Sequence, residues 1–269
     1  MNTLIVSPSS ILARSLPLLL LLALVFPSAS CDRPPVKNSE LTVAAAADLE
    51  QVFAEIGKAF ESETGTHVVF SFGASGNLKQ QIENGAPFDV FASANVAYVE
   101  ALSKEGLTVP DRVRTYAMGQ ITLWQRKDSK VQVNSLADLT KPEIKHIAIA
   151  NPGHAPYGVA AVESLKSAGI YDQVQPKLVL GENIVEAMQF VQSGNAEVGI
   201  IARALSGRPD GKWIPIDPNS HKPIAQAVCV LKSTKQGEIA GRFLDFLEKP
   251  EAVATLERYG FSVPDVSRD

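Results

Sequence analysis

From Leu41 onward, short runs of β-branched and apolar residues alternate with stretches whose apolar positions recur at helical spacing, and this rhythm constrains the fold most. Leu41-Thr42-Val43 reads as a strand. Leu49, Val52, Phe53, Ile56 and Phe60 then recur every three or four residues until Gly65 stops them, which predicts a helix. Residues 67–70 and 89–92 are the next strands, and between them Leu78 and Ile82 mark a short helix behind the turn at 73–77. A helix from Asn95 to Glu105 ends at Gly106. Strand and helix alternating in this way belong to a parallel sheet covered on both faces, so the fold class is α/β.

A second series begins after Pro110, with strand-like runs at 120–124, 147–150, 178–180 and 198–201 and helices at 158–168 and 184–193. The chain returns through residues 225–231 and closes with amphipathic helical sequence at 237–247 and 251–259. A chain of this length sits near the size at which single cores stop growing. Two lobes are expected: residues 38–118 plus 225–269, and residues 119–224, each a mixed, mostly parallel sheet flanked by helices. The two crossings between them form a hinge that can close on a ligand.

Ahead of this region, Leu16 to Phe26 is an apolar run of eleven residues, well short of the roughly 20 that span a bilayer as a helix. Arg14 precedes it and Pro27-Ser28-Ala29-Ser30-Cys31 follows, which describes a secretory signal over residues 1–30 and a tether over 31–37. Ser28-Ala29-Ser30-Cys31 partly matches a bacterial lipobox, making Cys31 a candidate lipid attachment site and Cys229 an unpaired core residue. A disulfide between them is the other reading. The protein is thus expected to be periplasmic or extracytoplasmic, held to the membrane if Cys31 is acylated. With 25 Lys+Arg against 29 Asp+Glu the net charge is −4, which excludes a strongly basic nucleic-acid binder.

Three segments set a turn directly before a helix near a strand end: 45–49, 73–77 and 182–185. A fourth, Asn151-Pro152-Gly153-His154-Ala155-Pro156-Tyr157-Gly158, leaves a strand and enters a helix. In doubly wound folds ligands bind beyond the carboxyl ends of strands, where helix starts present free N–H groups and partial positive charge. These segments therefore point to an anion site. None of residues 43–49, 71–77 or 151–158 is Lys or Arg, so a dianion there would be held by neutral donors. Each signal alone also has a plain structural reading: Asp48 as a helix N-cap, Ser75 as a turn or cap residue, Tyr157 as a packed aromatic. His67, His146, His154 and His221 lack metal-ligand spacing, and no residue is expected to ligate a metal cation directly.

In order, Leu41-Thr42-Val43-Ala44-Ala45-Ala46-Ala47-Asp48-Leu49, Ser71-Phe72-Gly73-Ala74-Ser75-Gly76, the stretch 85–94, Asn151-Pro152 with Ala155-Pro156-Tyr157-Gly158, Glu182-Asn183-Ile184 and Arg258-Tyr259-Gly260-Phe261 resemble the periplasmic molybdate-binding proteins of ABC importers. The resemblance implies a type II-like periplasmic-binding fold that holds a tetrahedral oxyanion between its lobes. It further implies that Ser75 gives its hydroxyl and N–H, that the N–H groups of Asp48, Tyr157 and Ile184 complete the shell, and that the Tyr157 hydroxyl joins them. Two positions depart from the pattern. Asp48 stands where some members have a serine or asparagine donor, and its side chain is expected to turn away and cap the helix beginning at Leu49. Ala202 stands where some members place a ligand tyrosine, a role Tyr157 would take over. Residues 89–94 look like core and lobe-packing sequence.

The function this implies is a monomeric, non-enzymatic binding protein, without cofactor, that captures molybdate or tungstate and delivers it to a membrane permease. Selectivity would come from size, because sulfate is a smaller tetrahedral dianion that fixed donors cannot all reach. The alternatives are a binding protein for phosphate or sulfate and, more remotely, a hydrolase using Ser75. The segment 73–77 lacks the final glycine of a nucleophile elbow, and no histidine can be assigned as the base.

Overall fold

The computed structural model describes residues 40–264; the expected signal peptide over 1–30, the expected tether over 31–37 and Cys31 lie outside the described residues. Four strands come first: β1 (Glu40–Ala46), β2 (His67–Gly73), β3 (Val90–Ser93) and β4 (Thr108–Gly119). The chain then crosses through Gln120 into β5 (Ile121–Arg126), β6 (Ile147–Ala150), β7 (Leu178–Gly181), β8 (Val198–Ala202) and β9 (Gly211–Pro215). It crosses back before β10 (Ile224–Leu231). The strands form two five-stranded sheets, ordered β2-β1-β3-β10-β4 and β7-β6-β8-β5-β9. In each sheet one strand runs against the other four: β10 in the first, β5 in the second. Each reversed strand follows a crossing, so the two-lobed fold and its paired crossings arise together.

Helices α1 (Glu50–Thr64), α2 (Ser75–Glu83) and α3 (Val96–Lys104) serve the first sheet, and α4 (Pro156–Ser167), α5 (Tyr171–Val174), α6 (Ile184–Gln192) and α7 (Arg203–Ser206) the second. After β10 come α8 (Gly237–Leu247) and α9 (Pro250–Arg258). Helix α1 buries Val52, Phe53, Ile56 and Phe60 on one stripe and ends at Gly65, whose φ of 71° suits a residue without Cβ. Its Phe60 meets Phe243 of α8 edge-on, ring centroids 5.3 Å apart. Such fully buried aromatics contribute about 1.5–3 kcal/mol each and fix α1, and hence the turn before it, against the sheet.

Two strands were not anticipated, and both lie at sheet edges. Strand β4 carries Pro110, Asp111 at φ 59°, Arg112 and Arg114, and its register with β10 slips twice, so it has no alternating apolar pattern. Strand β9 leaves Lys212 and Trp213 exposed. Cys229 is a free, buried thiol in β10, and burial pushes it up to about 12.

Candidate functional site

The carboxyl ends of β1, β2 and β3 face those of β6 and β7 across a small cavity of about 10 Å³. Four helix starts converge on it. Asp48 is the second residue of a 3-10 turn (Ala47–Leu49) that feeds α1, and Ser75 is the first residue of α2. Tyr157 is the second residue of α4, behind Pro156, and Ile184 is the first of α6. The N–H groups at such positions have no intrahelical acceptor and lie at the positive end of the helix dipole. All four residues are buried, and among the described residues no Lys, Arg or His lines the cavity.

The side chains have separate tasks. Asn183 caps α6, accepting from the N–H groups of Val185 and Glu186 at 2.9 and 3.1 Å, which aims the Ile184 N–H outward. Ser75 Oγ accepts from the Ala94 N–H at 3.0 Å, so its own proton is left to donate. Residues 89–94 are therefore not only packing sequence: β3 is buried throughout, but Ala94 behind it lines the cavity and holds Ser75. Ser75 is also bonded to a main-chain amide where a hydrolase would need a base.

Asp48 does not cap a helix. The turn is entered at Ala46, which puts Asp48 inside it, and neither this turn nor α1 has a side-chain cap. Instead Asp48 Oδ2 accepts from the Tyr157 hydroxyl at 2.8 Å and from Gln226 Nε2. Gln226 Nε2 also donates to the Tyr157 oxygen at 3.0 Å, while its Oε1 accepts from the Tyr116 hydroxyl at 2.9 Å. Asp48 Oδ1 is buried and has no hydrogen-bond partner among the described residues. Burial pushes the Asp48 carboxyl up to about 6, against the opposing pull of Gln226 and Tyr157. The same burial drives the Tyr157 and Tyr116 phenols well above their ordinary value. The Tyr157 hydroxyl thus serves Asp48.

The sequence reading missed the residues that join the lobes. The Gly76 N–H donates to the His154 carbonyl oxygen at 2.9 Å, linking the start of α2 to the loop before α4. A Cβ on Gly76 would sit 2.8 Å from that oxygen, so only glycine permits this approach. Gln226 could have been found: it is the one amide in the otherwise apolar run 224–231, and a buried amide there requires partners. Tyr116 and His154 had no comparable signal.

A family model for bacterial extracellular solute-binding proteins matches residues 41–262. The molybdate-binding protein ModA of Rhodobacter capsulatus is 35% identical over 255 residues, covering 94% of this chain and 97% of its own. The ModA of Azotobacter vinelandii is 39% identical over 232 residues, covering 84% and 90%. The solved structure of the Azotobacter vinelandii periplasmic molybdate-binding protein matches with a TM-score of 0.78 at 31% identity, over 83% of this chain and 99% of that one. The sulfate-binding protein SubI from Mycobacterium tuberculosis, at 18% identity and a TM-score of 0.72 over 85% and 88%, shares the fold.

Proposed function

The chain belongs to the bacterial extracellular solute-binding proteins, and we propose that it captures molybdate or tungstate between its lobes and delivers it to an ABC importer permease. The observation that carries this is the convergence of four buried helix starts on one cavity whose lining, among the described residues, has no cationic side chain. The N–H groups of Asp48, Ser75, Tyr157 and Ile184, with the Ser75 hydroxyl, are the proposed shell. Taking an ion out of water costs several kcal/mol, and each hydrogen bond to a charged group contributes about 1.5–3 kcal/mol, so about half a dozen neutral donors suffice.

The proposed shell is drawn from one chain, and the reading is of a monomer outside the cytoplasm, with Cys31 as the proposed lipid attachment point. Binding, not catalysis, is its task, as its relatives' names describe for them. The test is thermal unfolding of protein lacking residues 1–30 with molybdate, tungstate, sulfate or phosphate. A true ligand at 100 times its dissociation constant stabilises the native state by about 2.7 kcal/mol. Stabilisation by molybdate and tungstate is expected; stabilisation by phosphate or sulfate alone overturns the assignment.

A further inference from the structure

A carboxylate beside a site for a dianion repels the ligand unless a cation or a proton compensates it, and among the described residues no cation does so at Asp48. The titratable groups facing it are two uncharged phenols, Tyr157 of α4 and Tyr116 of β4. Charged side chains on the neighbouring elements are engaged elsewhere or lie in solvent. On α1, Glu55 is held by Arg258, and Glu50, Lys58, Glu61 and Glu63 are exposed. Glu186 of α6 accepts from the Glu182 N–H at 2.6 Å, and Arg203 of α7 lies over the Trp213 ring at 4.0 Å. His67 of β2 pairs with Glu61. On β4, Arg112 and Arg114 pair with Asp245 and Glu248, and Asp111 is exposed. On α4, Glu163 accepts from the Lys222 N–H and Lys166 lies over Tyr171.

We propose that Asp48 is a proton-carrying latch: when the lobes close on the anion, Asp48 takes a proton from solvent on Oδ1 while Oδ2 keeps the hydrogen bonds from Tyr157 and Gln226. This rests on the oxyanion-binding function proposed above. The latch is built from three parts of the fold: Asp48 belongs to the first lobe, Tyr157 to the second, and Gln226 to the strand that follows the return crossing. Opening withdraws Tyr157 and admits water to Asp48, which returns its carboxyl toward the ordinary range. Closing buries both oxygens, and only Oδ2 finds donors. A proton on Oδ1 removes the buried charge and turns the unpartnered oxygen into a donor, in a cavity otherwise lined by donors.

Proton uptake on closure means that acid favours the closed, loaded form. Burial holds the carboxyl at about 6 against the pull of Gln226 and Tyr157, and a dianion beside it raises it further. Affinity should therefore rise about tenfold from pH 7 to pH 5 and level off below the open-state value near 4. The experiment is calorimetric titration of molybdate into the protein and into Asp48→Asn, from pH 5 to pH 8, in pairs of buffers with different ionisation heats. The asparagine keeps an acceptor for Tyr157 and Gln226 and supplies an amide donor in place of Oδ1–H. Both proteins meet the same anion, so its own titration cancels in the comparison. The expected result is uptake of at least about half a proton per anion at pH 6 by the wild type, and none by Asp48→Asn. The variant should bind at pH 8 about as tightly as the wild type at pH 5. A pH-independent wild type without proton uptake, or a variant that keeps the wild-type slope, overturns the latch while leaving molybdate binding intact. Failure of both proteins to bind molybdate at any pH refutes the proposed function and the latch with it. Should the variant not fold, the wild-type proton count decides.

Discussion

Gly76→Ala separates closure from folding. Gly76 lies in the first turn of α2, where alanine is tolerated and shifts stability by no more than about 1 kcal/mol, in the favourable direction. The three nearest neighbours of the added methyl all belong to His154: its carbonyl oxygen at 2.8 Å, Cβ at 3.0 Å and Cα at 3.1 Å. Two of these are backbone atoms of the opposite lobe and cannot swing aside. The closed form therefore loses the 2.9 Å bond from the Gly76 N–H, about 0.5–1.5 kcal/mol, and carries overpacking strain of about 1–3 kcal/mol. Anion affinity should fall by about 1.5–4.5 kcal/mol, at least about tenfold and at most about two-thousandfold. The assay is isothermal titration with molybdate, alongside denaturant unfolding without ligand. Unchanged affinity would refute the reasoning, and so would an affinity loss matched by an equal loss of unliganded stability.

Three further outcomes are expected. Ser75→Ala should weaken molybdate binding by about 1.5–3 kcal/mol in titration calorimetry, because a hydroxyl whose acceptor role is filled by the Ala94 N–H has its proton free for the anion. With molybdate saturating and the lobes closed, stability should fall as pH rises from about 4 to above 6: the buried Asp48 carboxyl, raised from 3.8 to about 6, holds its proton more tightly in the closed fold than in the unfolded chain. That shift corresponds to about 3 kcal/mol, and unfolding of Asp48→Asn followed over the same range should lack this component. Gln226→Leu should destabilise the fold by about 2–4 kcal/mol in denaturant titration, since it strips a donor from Asp48 and leaves the Tyr116 hydroxyl unpaired; a loss below about 0.5 kcal/mol would show the network to be unimportant.

The parts legible in the sequence are those whose environment is uniform. Strands β1, β3, β6 and β8, buried on both faces, read as apolar runs, and α1, α6 and α8 show a single apolar stripe. The helix starts that surround the cavity were legible too, because each follows a strand end with small or capping residues. Edge strands β4 and β9 were not, since one side faces solvent and pairing, not pattern, holds them in the sheet. Asp48 was located but its role was misjudged: the local rule that aspartate before a helix caps it was overridden by partners 109 and 178 residues away. Sequence spacing cannot show that Tyr157 and Gln226 meet at one carboxylate, because that contact exists only once both lobes and the crossing strands are in place.

The absence of cationic side chains from the cavity lining among the described residues bears on release as much as on capture. A lysine or arginine would belong to one lobe, and most of its attraction for the anion would survive opening. Here the proposed donors are divided: Asp48 and Ser75 on the first lobe, Tyr157 and Ile184 on the second. Opening removes two N–H donors at once, about 3–6 kcal/mol at 1.5–3 kcal/mol each, which lowers affinity at least about a hundredfold. It also breaks the Tyr157 bond to Asp48, exposing a carboxylate that then ionises beside the departing dianion. A permease that does no more than part the lobes thereby turns the site from one that holds the anion into one that repels it.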